Sequence, residues 1–239
     1  MTTGDQHCME LGTAFQPRPT QRNPTGWRGV AVLLCLLLPA AIHAAPVELL
    51  LQDRDGKPVA GAVVALRSRA DRAPSPPVKA VMDQQNRAFV PHVLIVPVGS
   101  SVTFPNGDSV SHQVYSFSPA KKFQLPLYRG SPNPPVAFER AGVVTLGCNI
   151  HDAMRAYIFV VDGQYFGRTD ATGLWSATAV DPGEYDVQAW HPLAREMQPF
   201  VEKRIEVPAS SDRLRITLQA TAPLRLRPES TVPANWDAY

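Results

Sequence analysis

Three residues that can bind a soft metal ion lie at equal spacing in the segment GCNIHDAM, residues 147 to 154: Cys148, His151 and Met154. They offer a thiolate, an imidazole and a thioether. Calcium and magnesium prefer oxygen ligands, whereas this donor set favours copper. Two histidines, one cysteine and a long axial methionine make an electron-transfer copper site, so the loop predicts a metal centre that needs one more histidine.

We expect His112 to supply that second imidazole. It follows the segment FPNGDSVS, whose pattern predicts a strand end, a turn and the start of another strand. Such a placement can hold a ligand rigidly, so that the site resists rearrangement when copper changes its oxidation state. Zinc is the alternative metal, since cysteine and histidine also bind it, but a closed zinc site prefers four strong ligands and Met154 is a poor fourth.

The remaining histidines argue against catalysis. If the N-terminal segment is removed, only His92 and His191 are left besides the candidate ligands, and either can be an ordinary surface or packing residue. They are too few to build the additional copper centre of a copper enzyme. The sequence also lacks a glycine-rich phosphate loop after a strand and a nucleophile elbow. We therefore expect a protein that is not an enzyme.

The N-terminus has the pattern of an export signal. Arg22 and Arg28 precede the apolar run of residues 30 to 42, and the small residue Ala44 follows it. The run is shorter than the roughly 20 residues of a membrane span, although an uncleaved anchor is the alternative. We expect a signal peptide, residues 1 to 44, export to the periplasm, and no membrane span after its removal.

Export changes the interpretation of the cysteines. Cys8 and Cys35 lie before or inside the signal, so the exported chain would retain Cys148 alone. A lone cysteine in an oxidising compartment cannot form an internal disulfide, and a free reactive thiol there is open to oxidation. Binding to a metal as the thiolate is one way to protect it.

Composition favours an all-β fold. The 239 residues include 24 prolines and 15 glycines, which favour short strands and many turns, and no segment shows a sustained helical period. A hydrophobic content of 44% is enough for a core. The formal net charge is +2 and there is no long run of one charge sign, so we expect no nucleic-acid partner.

The segments FPNGDSVSHQV and GVVTLGCNIHDAM resemble the cupredoxins, the small blue copper proteins. The Cys-x2-His-x2-Met spacing is similar to that of amicyanins, and Phe89 and Pro91 match the family's Phe-x-Pro. The resemblance covers about residues 79 to 162 and looks closest to secreted cupredoxins labelled methylamine utilisation proteins. Leu146 stands where many members have tyrosine. Gln113 stands where azurin-type members have asparagine, which leaves open whether the same cross-loop hydrogen bond forms.

The resemblance implies a Greek-key β-sandwich with one type 1 copper bound by His112, Cys148, His151 and Met154. It also implies that the protein carries single electrons between periplasmic redox partners, such as a dehydrogenase and a c-type cytochrome. Cys148 would provide the electronic path, Met154 would tune the potential, and His151 is our candidate for the surface electron port. The alternatives are a copper-binding carrier, or an adhesion or carbohydrate-binding β-sandwich module without a redox role.

The flanking segments DRDGKPVAGAVVAL and TDATGLWSATAVDPGEYDVQAW resemble two halves of the carboxypeptidase regulatory-like, transthyretin-like β-sandwich. If the cupredoxin is inserted between them, residues 59 to 66 should pair with residues 184 to 190. The alternative is that each half only extends the cupredoxin sheets. The expected division is a first half at 45–72, the cupredoxin at 79–162, a second half at 163–221, and a flexible tail at 222–239.

Overall fold

The structure is a computed structural model, which describes residues 44–130, 133–193, 201–209 and 214–219. The tail expected at 222–239, and all of the expected signal peptide except Ala44, lie outside the described residues. The described part of the chain forms strands and no helix, so the predicted all-β class is confirmed. In that part, accordingly, no helix is long and apolar enough to cross a membrane.

The strands of the described residues are, in chain order, β1 (Ala45–Gln52), β2 (Val63–Ser68), β3 (Lys79–Val81), β4 (Asp83–Gln85), β5 (Ala88–Val90), β6 (Val93–Pro97), β7 (Ser100–Thr103), β8 (Tyr115–Ser118), β9 (Lys121–Gln124), β10 (Val136–Phe138), β11 (Gly142–Gly147), β12 (Arg155–Val161), β13 (Tyr165–Arg168), β14 (Leu174–Val180), β15 (Gly183–Trp190), β16 (Val201–Val207) and β17 (Leu214–Gln219).

The strands from the two ends of the described chain form two sheets around one core. One sheet has the order β14-β1-β17 and the other β13-β2-β15-β16. Strand β1 alternates buried and half-buried positions, as expected of a strand with one face on a core. Its residues Val47, Leu49 and Leu51 belong to the same apolar cluster as Tyr185 and Val187 of β15.

Strand β2 lies between β13 and β15, so both of its neighbours come from the C-terminal flanking segment. It pairs antiparallel with β15, where Leu66 is opposite Val187 and Val64 is opposite Ala189. This is the contact that the sequence pattern predicts between residues 59 to 66 and 184 to 190. The two flanking segments therefore build one sheet together.

The middle of the chain forms a second pair of sheets, with the orders β10-β7-β3 and β6-β12-β11-β8-β9. Between them lies an apolar cluster that includes Phe104, Phe138 and Ile158, together with Cys148 and Met154. Strand β6 pairs parallel with β12, whereas β11 and β12 are antiparallel. Two of the candidate ligands thus belong to the core of this sandwich and not to its surface.

One strand was not expected. The proline-rich stretch of residues 119 to 135 predicted a surface excursion, but β9 lies inside it and pairs with β8, where Ser116 is opposite Phe123. The prolines stand on either side of β9, and the strand KKFQ itself contains none. Proline excludes pairing only where it stands, and β9 is an edge strand with half of its residues exposed.

The two sandwiches pack against each other through a third apolar cluster, which includes Val63, Trp190, Tyr157 and Phe159. Trp190 of β15 is fully buried, and its ring centre lies 5.1 Å from that of Tyr157 on β12. Strand β12 is therefore covered on both faces, since Ile158 belongs to the other core. Double burial explains why its sequence YIFVV is continuously apolar and does not alternate.

Two histidines lie beside this contact between the two sandwiches. His92 makes an edge contact with Tyr157, and His191 directly follows Trp190. Burial lowers the pKa of His191 to about 4; the Arg168 charge and His92 lower this pKa too, and a hydrogen bond with the backbone of Ala60 opposes them. Burial, followed by the Arg168 charge, also lowers the pKa of His92. The fold therefore holds both imidazoles in their neutral form.

The low pKa of His191 makes stability depend on pH. The unfolded chain binds a proton at His191 near pH 6.5, whereas the folded chain does so only near pH 4, so stability falls as the pH falls through this window. We expect His191→Gln to remove about 2 to 3 kcal/mol of the stability difference between about pH 7.5 and about pH 4.5. Urea unfolding of both proteins at the two pH values measures it. An unchanged pH dependence would contradict the assignment.

Candidate metal centre

The structure brings His112, Cys148 and His151 together. The two Nδ1 atoms are 3.2 Å apart, and the Sγ atom of Cys148 lies 4.0 Å from Nδ1 of His112 and 3.9 Å from Nδ1 of His151. A point equidistant from these three atoms lies about 2.2 Å from each, within the roughly 2.0 to 2.3 Å of metal bonds to histidine nitrogen and cysteine sulfur. One ion can therefore contact all three.

The short connection between β11 and β12 carries three of the candidate ligands. Cys148 directly follows β11, Met154 directly precedes β12, and His151 lies between them. The backbone N–H of Met154 donates to the carbonyl of His151 at 2.9 Å, which closes a turn. Cys148 and Met154 are 3% and 2% exposed, so the thiol and the thioether lie on the buried side of the loop.

His112 comes from a different part of the sandwich and is held by its backbone. Its N–H donates to the carbonyl of Tyr128, and the N–H of Tyr128 donates to the carbonyl of His112, both at 3.0 Å. The buried side chain of Asn106 supports the pair from within: Nδ2 donates to the carbonyls of Tyr128 and Val110, at 2.8 and 3.0 Å. Its Oδ1 accepts the N–H of Asp108. This network determines where the His112 ring can lie.

The phenol of Tyr128 belongs to the same network. Its hydroxyl donates to the carbonyl of Phe104 and accepts a hydrogen bond from Nε2 of Gln84. Burial raises the pKa of Tyr128 to about 12, with a partly opposing effect of the Gln84 hydrogen bond and a further increase from the charges of Asp83 and Cys148. The phenol therefore stays protonated and neutral at physiological pH.

A carboxylate lies on the outer side of His112. Oδ2 of Asp108 is 2.7 Å from Nε2 of His112. Burial raises the pKa of Asp108, but hydrogen bonds from the backbone N–H of Arg87, from His112 and from the backbone N–H of Asn86 outweigh it, so that the net pKa is lowered. Asp108 is thus an ionised acceptor for the ring.

The two ligand-bearing loops are also joined directly. Nδ2 of Asn149 donates to Oε1 of Gln113 at 2.7 Å. A cross-loop hydrogen bond therefore forms with glutamine at position 113, which answers the question that the sequence left open. A Cβ at position 147 would lie 2.7 Å from the ring of Tyr115, so any residue larger than glycine there would displace this ring. That ring packs against the backbone directly before Cys148.

The candidate ligands differ in their access to solvent. His112 is fully buried, whereas His151 is half-buried and its neighbour Ile150 is 53% exposed. The other two histidines of the described chain, His92 and His191, lie at the joint between the sandwiches and not in this cluster. Sequence patterns did not reveal Asn106, Asp108 or Tyr128 as partners of the site; only the Asn-Gly turn at position 106 had a local signal.

The fold and the site together define an all-β protein with a buried cluster of soft metal donors. No family model matches the chain, and no curated protein matches it either. Solved structures that it resembles include a purple cupredoxin from Nitrosopumilus maritimus, at 26% identity over 35% of this chain and 99% of that chain, with a TM-score of 0.31. A reduced amicyanin variant is 22% identical over 42% of this chain and 99% of that chain, with a TM-score of 0.32.

A copper-containing nitrite reductase from Thermus scotoductus SA-01 is also similar, at 26% identity over 36% of this chain, with a TM-score of 0.32. The present chain spans only 22% of that reductase. The all-β chain thus has cupredoxin-like neighbours among the solved structures. At this level of similarity, the site itself is interpreted from its own geometry.

The Asn106 network makes a stability prediction. Asn106→Asp keeps the size of the side chain but replaces two N–H donors by an oxygen that faces two carbonyls. Because buried unpaired acceptors are costly, we expect a loss of roughly 2 to 4 kcal/mol in the free energy of unfolding. Chemical denaturation of the metal-free protein measures it. Asn149→Asp, at an exposed position where the side chain donates one hydrogen bond to Gln113, is the control, and equal losses in the two variants would refute the role of Asn106.

Proposed function

We propose that the protein is an exported type 1 copper protein that carries single electrons between redox partners. The observation that carries this proposal is the convergence of one cysteine sulfur and two ring nitrogens at the edge of an apolar core, with a buried methionine on the same loop. A copper ion held there would supply one-electron chemistry by alternating between Cu(II) and Cu(I). His112, Cys148 and His151 would hold the ion, and Met154 is the proposed fourth ligand.

The surroundings of these residues suit electron transfer better than substrate turnover. Val114, Leu146 and Ala156 belong to the same buried cluster as Cys148 and Met154, so both sulfur-bearing side chains pack among apolar residues. The strands β11 and β12 on either side of the loop are paired along their whole length, from Gly142 opposite Val160 to Gly147 opposite Arg155. A loop anchored at both ends in this way resists rearrangement of its side chains.

We propose His151 as the point at which electrons enter and leave. It is the more exposed of the two clustered histidines, and Ile150 beside it offers apolar surface to a partner. A periplasmic dehydrogenase and a c-type cytochrome are the proposed partners, and the export signal at residues 1 to 44 is the proposed route to that compartment. A function in methylamine utilisation remains a proposal of the same kind.

We further propose that the flanking segments are the two halves of one carboxypeptidase regulatory-like sandwich into which the cupredoxin is inserted. Two observations support it. Within the described residues, β2 pairs with strands of the second flank, and the chain enters and leaves the cupredoxin-like segment at neighbouring points. At the crossings, the N–H of Ser75 donates to the carbonyl of Gly163, and its hydroxyl donates to that of Gln164. Neighbouring entry and exit points are what an insertion requires.

The copper assignment predicts colour. We expect the copper-loaded protein to be intensely blue and to bleach on reduction. The Cys148→Ser variant should lose the blue charge-transfer absorption band, because a hydroxyl is a far weaker donor than a thiolate. Met154→Gln should keep the colour and shift the midpoint potential. Visible and EPR spectra of the three proteins test this. Blue colour in the serine variant would refute the ligand set, and a colourless protein that takes up Cu(I) would instead favour a carrier.

The domain proposal predicts the behaviour of a fragment. Residues 79–162 expressed alone should still bind copper, because the donor cluster lies wholly within them. They should unfold at a lower temperature than the full chain and self-associate, since the Tyr157 and Phe159 side chains lose the cover of Trp190. Phe159→Ser should reduce the self-association of the fragment, which sedimentation velocity measures. A fragment that cannot fold or bind copper would overturn the division.

A further inference from the structure

A two-residue turn lies over the outer edge of the His112 site. Asn86 and Arg87 connect β4 to β5, and both have positive φ, 52° and 59°. This conformation is that of a type I′ hairpin turn, which suits asparagine but favours glycine at the second position. Arg87 therefore holds a backbone conformation that is unfavourable for a residue with a Cβ, so contacts with the surroundings must stabilise the turn.

The stabilising partner is the carboxylate of Asp108. The N–H of Asn86 donates to Oδ1 at 2.6 Å, and the N–H of Arg87 donates to Oδ2 at 2.8 Å. The backbone N–H of Asp108 is bound in turn by Oδ1 of Asn106 at 3.0 Å. The carboxylate is thus held by two backbone N–H groups of the Asn86-Arg87 turn, while the Asn106 side chain holds the backbone of Asp108 itself.

The same carboxylate determines the protonation of His112. Both oxygens of Asp108 already accept backbone N–H bonds, so Asp108 acts as an acceptor, and the 2.7 Å contact between Oδ2 and Nε2 then places the ring hydrogen on Nε2. In a neutral imidazole the other nitrogen, Nδ1, then carries the free electron pair. Nδ1 is the atom that faces Nδ1 of His151 at 3.2 Å and the Cys148 sulfur at 4.0 Å.

We propose that Asp108, held by the Asn86-Arg87 turn, is a positioning residue that sets the tautomer and orientation of the His112 ring before any metal binds. Partners of this kind orient metal-binding histidines and raise the basicity of the ligand nitrogen. The consequence for copper rests on the proposed function, whereas the tautomer itself belongs to the metal-free protein. The turn, the carboxylate and the ring thus form one chain of contacts that ends at the ligand atom.

The tautomer is tested in the metal-free full chain by two-bond proton–nitrogen NMR correlation of the histidine rings. We expect His112 to be in the Nε2–H form in the unsubstituted protein and a mixture of both forms in Asp108→Ala. Asp108→Asn should act in the same direction, because an amide has one oxygen for three donors. Asp152→Ala is the control, since this exposed carboxylate makes no hydrogen bond within the described residues. An unchanged tautomer in both Asp108 variants would overturn the proposal.

A second readout uses copper. We expect Asp108→Ala to weaken copper binding about 10- to 100-fold in a chelator competition, as loss of such partners commonly does. The midpoint potential should rise, because a less basic ligand and one charge fewer favour Cu(I). Asp152→Ala also removes one charge near the site but not the hydrogen bond, so it should show only a smaller rise in potential. Equal changes of copper affinity and midpoint potential in both variants would mean that Asp108 acts only through its charge, which would contradict its positioning role.

One further variant distinguishes the backbone hydrogen bond of Arg87 from the effects of its side chain and its positive φ. Arg87→Gly keeps the N–H that Asp108 accepts and relieves the positive φ, so the His112 tautomer should not change. A changed tautomer would mean that the arginine side chain, and not the backbone donor, is responsible. If the unsubstituted protein proves colourless with copper, the proposed function fails, while the NMR result still decides whether Asp108 positions His112.

Discussion

The candidate site depends on one constraint: a sulfur and two ring nitrogens are held within 4.0 Å of one another inside an apolar core. Polar groups are costly to bury without partners, so the other polar atoms of each ligand residue need hydrogen bonds. These hydrogen bonds must leave the lone pair of the ligand atom directed toward the other two donors. For His112 these contacts are two backbone bonds to Tyr128 and one ring bond to Asp108. The surrounding loops hold the His112 ring in place, because their irregular backbone provides N–H and carbonyl groups that are not used in sheet pairing.

The sheets supply the rigidity that the loops lack. Strand β12 is buried on both faces, by the core of its own sandwich through Ile158 and by the second sandwich through Tyr157 and Phe159. Met154 directly precedes this strand, so one end of the ligand loop is anchored on a strand that is buried on both faces. The flanking sandwich therefore contributes to the site indirectly, by covering the outer face of the sheet that carries it.

Some elements were open to prediction because the information is local. The apolar–polar alternation of β1 and the Pro-Gly pair at the start of β15 belong to short segments, and such local patterns are typical of strands and turns. Strand β9 was missed because the prolines around it outweigh four residues of weak pattern. The apolar run YIFVV of β12 is typical of a buried strand, but only the packing of Trp190 on one face shows why this run does not alternate with polar residues.

At the site, the sequence by itself determined the types of donor and their spacing: Cys148, His151 and Met154 share one loop, so their proximity follows from chain connectivity. The meeting of that loop with His112 was an expectation from its strand-turn-strand context and from resemblance, and the tertiary structure shows the 3.2 Å approach of the two ring nitrogens. Only the tertiary structure revealed Asn106, Asp108 and Tyr128 as its supports. The bonds of Asn106 to Tyr128 and of the Asn86-Arg87 turn to Asp108 join segments more than 20 residues apart, and a hydrogen bond between such segments leaves no periodic signal in the chain.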